Sequence, residues 1–203
     1  MNVKIYVEGG GDDKELLVRC QIGFRKLIEK SGFKGRMPRI VSCGGRGAAF
    51  DDFKNAIESM DTSYYPILLV DSEDPISSNT TKWDHLRGRD KWDVPKTVSE
   101  DQAQLMVTCM ETWLMADRAA LRSAFGAELQ ENALLPEINL EQYDRHRVQG
   151  ALEHATRNCG NRAYKKGKRS FQVLEAANPN TLKERLPYFR RFIETLERLL
   201  HPK

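Results

Sequence analysis

Apolar residues recur along this chain in two alternating rhythms. "VKIYVE" is a short β-branched run. From Asp12 to about Lys30, apolar positions then repeat at helical spacing: Leu16, Leu17, Cys20, Phe24, Leu27 and Ile28. The turn-rich "SGFKGRMP" separates this helix from a second strand, "RIVSC". Beyond the loop "GGRG", Phe50, Phe53, Ile57 and Met60 mark a second helix. "YPILLVD" is a third strand, apolar almost throughout, as a strand buried on both faces must be. A polar segment from Ser72 to Gln102 follows. "AQLMVTCM" then reads as a fourth strand running into the helical pattern "ETWLMADRAALRSAF". After about Leu135 no strand signal remains. "SFQVLEAA" and "YFRRFIETLERLL" are amphipathic helices, punctuated by Pro179 and Pro187.

Strand and helix in alternation predict an α/β fold with a mainly parallel central sheet and right-handed crossovers. The expected organisation is an α/β domain over residues 1–126 and a helical extension over 127–203 packed on it. A chain of 203 residues is long enough to bury a real core. Nothing approaches the roughly 18 uninterrupted apolar residues of a membrane span, and no signal-peptide pattern precedes the first strand. Cys20, Cys43, Cys109 and Cys159 are widely spaced, and His85, His146, His154 and His201 do not gather around them. A structural zinc site is therefore not expected. Free thiols fit a reducing compartment, so the expected location is cytoplasmic.

Charge adds one feature. From Arg145 onward there are 14 Lys and Arg against 5 Asp and Glu, leaving 18 against 24 before it. An acidic front and a basic tail suit a cation at one place and a polyanion nearby, although a solvated basic helical surface produces the same asymmetry.

The chemistry concentrates at strand ends. In an open parallel sheet, ligands sit outside the carboxyl ends of the strands. Glu8 ends the first strand, followed by Gly9, Gly10 and Gly11. Asp71 and Glu73 end the third, and at i, i+2 they share one side while the chain stays extended. Converging carboxylates cannot all stay ionised without compensation, and oxygen-only ligands suit Mg2+ or Mn2+. "GGGDDK" is neither a P-loop nor a dinucleotide-binding fingerprint. Asp12 or Asp13 can cap the first helix.

"YVEGGGDDK" followed by "LLVDSEDP" resembles the Toprim (topoisomerase–primase) signature, a Glu after one strand and an Asp-x-Asp after another. With "GRMPRIVSCGGRGAAFDDF", "DQAQLMVTCMETWLMAD" and "YKKGKRSF", the chain is similar from about residue 3 to 198 to a family of small bacterial Toprim-like proteins, often encoded beside ATPases in phage-defence or mobile islands. The resemblance implies a magnesium-dependent phosphodiester-handling site. Glu8 would be general acid/base or metal ligand, with Asp71 and Glu73 as metal ligands. Glu73 stands where the superfamily has Asp, which lengthens one ligand arm by a methylene.

Other residues admit two readings each. Glu111 can complete a second cation site or serve as a first-turn helix acid, and Asp117 fits the latter better. Arg46 can clamp a phosphate or sit in a surface turn. Lys165, Lys166, Lys168 and Arg169 precede a helix that Ser170 can cap, a phosphate-binding arrangement in which Lys166 is the preferred contact. Trp83 and Trp92 flank the basic Arg87–Arg89 stretch and either stack bases or form a local core. The expected function is a Mg2+- or Mn2+-dependent nuclease acting on RNA or DNA, with a homodimer as a further expectation. The alternative is a non-catalytic effector or regulatory subunit of a partner ATPase. A phosphoacceptor receiver fits less well, because Glu8 and three glycines stand where its acid pair belongs.

Overall fold

The computed structural model describes residues 2–59 and 63–200. Four parallel strands form one sheet in the order β2-β1-β3-β4, with β1 at Val3–Val7, β2 at Arg39–Ser42, β3 at Tyr65–Asp71 and β4 at Ala103–Met106. Registers such as Ile5 opposite Ile40, Ile5 opposite Ile67 and Val70 opposite Leu105 bring the strand ends to a common edge. The chain first moves outward from β1 to β2, then returns to add β3 on the other side. The order therefore reverses between β1 and β3. This is a Rossmann-like α/β fold, and such switch points open crevices.

Alternation within the strands divides the core. Val3, Ile5, Val7, Ile67 and Leu69 face one layer, while Tyr6, Leu68, Val70 and Leu105 face the other. The second layer holds α2 (Arg46–Glu58) and α3 (Lys82–Asp90), buried through Phe50, Phe53, Trp83 and Leu86. The first holds α1 (Lys14–Ile28), where Cys20, Phe24, Leu27 and Ile28 are buried as the spacing predicts. The same layer contains α4 (Met110–Ala116), α5 (Arg118–Phe125), α6 (Arg145–Thr156), α7 (Lys168–Ala176), α8 (Pro179–Arg185) and α9 (Pro187–Leu200).

The helices after residue 126 thus cover one face of the sheet together with α1, α4 and α5. Trp113 of α4 is fully buried, edge-on to Phe189 at 4.8 Å and to Phe24 at 6.2 Å, so α1, α4 and α9 share one aromatic centre. On α1, Gly23 lets α7 come close, since a Cβ there would lie 3.0 Å from the Phe171 carbonyl oxygen. Lys30 donates to the Glu175 and Ala177 carbonyls at the end of α7, at 2.7 and 2.5 Å.

Several element boundaries move. Helix α1 runs on into a further turn at Glu29–Phe33 that kinks at Gly32, with φ of 100°, and ends on the buried Phe33. The "GGRG" loop ends at Gly45, and Arg46 opens α2. Met60 and His201 lie outside the described residues. The helical pattern from Glu111 to Phe125 breaks at Asp117, whose carboxylate caps α5 by accepting from Ala120 N at 3.0 Å and also accepts from Asn178 N at 2.7 Å. Asp13, rather than Asp12, caps α1 through Leu16 N at 3.0 Å. Among the described residues, no helix is long and apolar enough to cross a membrane, and all four cysteines are free thiols.

If the C-terminal helices belong to the same cooperative unit as the sheet, Phe189→Ala should cost about 3–5 kcal/mol in urea unfolding. Far-UV circular dichroism and tryptophan fluorescence should shift together. A transition that splits in two would separate the extension from the sheet.

Candidate active site

Two glycine turns build the rim at the switch point. Gly9, Gly10 and Gly11 carry φ of 149, 94 and 53° in succession, and Gly44 has φ of 78°. The turns are bonded to one another: Gly9 N donates to Gly44 O at 2.8 Å and Gly44 N to Gly9 O at 3.1 Å. A Cβ at Gly44 would sit 2.5 Å from the Gly11 carbonyl oxygen, so close approach as well as φ demands glycine there.

Behind this rim lies a cavity of about 450 Å³. Glu8, Asp71, Glu111 and Lys166 contribute its polar groups, and Leu16, Met110 and Phe171 its apolar wall. Because β1 and β3 are paired, Glu8 stands beside the end of β3, and its Oε2 accepts from Asp71 N at 3.1 Å. Asp71 Oδ1 accepts from Met110 N at 2.8 Å. One ligand oxygen each of Glu8, Asp71 and Glu73 lie within 4.8 Å of one another. Burial, followed by the nearby Glu8 and Glu111 carboxylates, raises the Asp71 pKa well above the ordinary value; Lys166 and the Met110 amide work in the opposite direction.

Glu111 is fully buried and reaches the same cavity. The Tyr164 hydroxyl donates to its Oε1 at 2.5 Å, and Gln149 Nε2 to its Oε2 at 3.3 Å. Burial and then Glu111 hold the Tyr164 phenol far above its usual pKa, so it stays a neutral donor. Tyr164 and Gln149 were not foreseen. They come from loop and helix residues far along the chain, with no local motif to announce them.

Glu73 is placed differently from its expectation. It adopts φ of 69°, so the chain leaves β3 by a left-handed turn instead of staying extended. Its Oε2 is engaged by Arg89 at 3.2 Å and by Arg145, and it is absent from the cavity wall. Its carboxylate still belongs to the acid cluster, but two arginines hold it from outside the cavity. Glu111 is the third carboxylate facing inward.

Arg46 is also committed. Its Nε and one terminal nitrogen bind Asp90 bidentately at 2.9 and 2.7 Å, and its other terminal nitrogen reaches Glu8 at 3.3 Å and the Asp71 carbonyl. The guanidinium lies over the Trp92 ring at 5.0 Å, and Trp92 stacks on Phe50 at 4.2 Å. Burial opposes its charge, yet Asp90, Glu8 and Asp71 together hold its pKa above the usual value. Arg46 is thus a strut for Glu8, and both tryptophans form local core.

The basic tail divides in a similar way. Lys166 lines the cavity, whereas Lys165 is exposed outside its wall and Lys168 pairs with Glu15 at 3.2 Å. Lys168 and Arg169 lie within α7, and Ser170 acts at the third helical position, its Oγ accepting from Gly167 N at 3.3 Å. Arg145, Arg185 and Arg198 pair with Glu73, Glu137 and Asp101. Part of the charge asymmetry is therefore paired within the molecule.

Fold and site define a parallel α/β protein with a carboxylate-and-lysine cavity at its topological switch point. The chain belongs to the family described as Domain of unknown function (DUF4276), whose model matches residues 7–197. No curated protein and no solved structure matches it.

Two outcomes follow from these contacts. A carboxyl group whose folded pKa is raised stabilises below its unfolded pKa, and that contribution is lost as pH rises through the folded value. In chelator, Asp71→Asn should therefore raise the melting temperature, and by more at about pH 8 than at about pH 4; an equal gain at both would remove the repulsion argument. Arg46→Gln should cost about 1.5–3 kcal/mol in urea unfolding without any nucleic acid, since Glu8 then keeps only the Asp71 amide and Asp90 only Arg89. A stability unchanged from wild type would return Arg46 to a ligand-binding role.

Proposed function

We propose that this protein is a Mg2+- or Mn2+-dependent phosphodiester hydrolase acting on RNA or DNA, with a Toprim-like arrangement of its acids. The observation that carries this reading is the meeting of Glu8, Asp71, Glu111 and Lys166 in one cavity at the sheet's switch point. The donor set fits a hard divalent cation: it is oxygen-only, and its buried negative charge leaves Asp71 with a raised pKa. Glu8, Asp71 and Glu73, whose ligand oxygens lie within 4.8 Å of one another, would hold the ion, with Glu111 beside them on the cavity wall. When bound, it would supply charge neutralisation and Lewis-acid activation of water.

The chain's own groups account for the rest. Arg46 and the Asp71 amide fix the Glu8 carboxylate, so it can receive the proton of an attacking water. Lys166 offers a cation to a phosphate oxygen, where negative charge develops as the bond breaks. Tyr164 and Gln149 hold Glu111 at the cavity wall. The proposed setting is the bacterial cytoplasm, in phage defence.

One observation favours a second reading. Glu73, the acid that departs from the superfamily pattern, is paired internally with Arg89 and Arg145. Such closure suits a non-catalytic subunit of a partner ATPase that keeps the site as a scaffold.

The deciding experiment assays single- and double-stranded RNA and DNA with Mg2+ or Mn2+, comparing wild type with Glu8→Gln. The expected outcome is cation-dependent cleavage that falls by about 10²–10⁴-fold in the variant. Cleavage untouched by Glu8→Gln would place the chemistry elsewhere. Absence of cleavage with every substrate and both cations would support the subunit reading.

A further inference from the structure

The depth of the cavity limits what can reach its acids. Glu111 is 0% exposed and Asp71 6%, so both lie on the floor rather than on an open groove. Around them stand the turn before α1, the turn before α2, the end of β3, the start of α4 and the start of α7. A volume of about 450 Å³ falls within the range of small-ligand sites. A double helix, with its phosphates on a broad convex surface and a major groove about 12 Å wide, has no part that fits inside.

The lining also combines two chemistries. Glu8, Asp71, Glu111 and Lys166 supply charged groups, and Leu16, Met110 and Phe171 apolar surface among them. A phosphate or its bridging cation suits the first. A flat, weakly polar body such as a nucleobase suits the second. A single nucleotide unit combines both.

We infer that the cavity takes one nucleotide unit, presented either as a free mononucleotide or as the terminal nucleotide of a single strand, and excludes internal positions of a duplex. This deepens, and rests on, the phosphodiester reading of the same site. It makes the protein an end-directed or small-nucleotide enzyme instead of one that cuts within duplexes.

Gly45 provides a way to test this without disturbing the fold. It caps α2 with φ of −75° and ψ of 161°, a conformation open to any residue, and no atom lies within 4 Å of a Cβ built there. It lines the cavity, so Gly45→Leu takes up space inside it. Gly45→Asp places a negative charge there while supplying a favoured helix cap. Gly47 also has open space around an added Cβ but is not part of the wall, so Gly47→Leu is the control.

Binding is measured with Ca2+, a hard cation of similar ligand preference, for a short linear single strand, the same strand circularised, its blunt duplex, and adenosine monophosphate. The linear strand or the mononucleotide should bind at least about tenfold more tightly than the circle and the duplex. Both Gly45 variants should weaken that binding by about tenfold or more, and Gly47→Leu should not. Competition by adenosine monophosphate at concentrations similar to the strand assigns the cavity to free nucleotides. Failure to compete assigns it to strand ends. Equal binding of circle or duplex, or indifference to both Gly45 changes, would overturn the inference. Gly45-sensitive nucleotide binding in a protein without cation-dependent cleavage would remove the catalytic reading alone; cleavage of circles and duplexes that ignores Gly45 would remove the size limit alone.

Discussion

Repulsion between carboxylates on neighbouring strands is the constraint that organises this molecule. Pairing β1 with β3 sets Glu8 against the end of Asp71's strand, and α4 brings Glu111 to the same place. Each compensating contact has a visible origin. Arg46 reaches Glu8 because α2 begins just beyond β2, the neighbour of β1, the Met110 amide reaches Asp71 because α4 begins just beyond β4, and Lys166 arrives on the turn before α7. An arginine network continues outward, with Arg89 touching Glu73, Asp74 and Asp90. Burial and charge are balanced here by many partial contacts, and Asp71 remains the group at which the balance is incomplete.

The C-terminal helices matter to the site as much as to the core. Gly23 allows α7 to lie against α1, and that approach carries Phe171 and Lys166 into the cavity wall. Through α6 and the loop after it, the same layer supplies Gln149 and Tyr164 to Glu111. A sheet with only its first three helices would carry acids at a bare edge.

Most of the fold was legible because its signals are local. The β3 run "YPILLVD", the spacing of Cys20, Phe24 and Leu27, and the prolines opening α8 and α9 each follow from burial or backbone chemistry within a few residues. The polar stretch around α3 was not assigned, because its helix buries only Trp83 and Leu86 and is otherwise charged. In the site, Glu8 and Asp71 were readable from strand ends. The internal engagement of Arg46 and Glu73 was not, since Asp90, Arg89 and Arg145 meet them only through tertiary packing. Spacing along a chain reveals which groups share an edge. It does not reveal which of them already have partners.

The order in which the chain emerges during synthesis gives the glycine-rimmed cavity a temporal meaning. Domains tend to fold as units, and a chain is made from its N-terminus onward. Glu8 and Asp71 are made early, but Arg145, Tyr164, Lys166 and Phe171 follow only after most of the sheet exists. Until they arrive, the acid edge has neither its lysine nor the Phe171 part of its apolar wall. The cavity can therefore close only once α7 has been made, and the core only once α9 has followed it. Any competence the site has is withheld until nearly the whole described chain has been made.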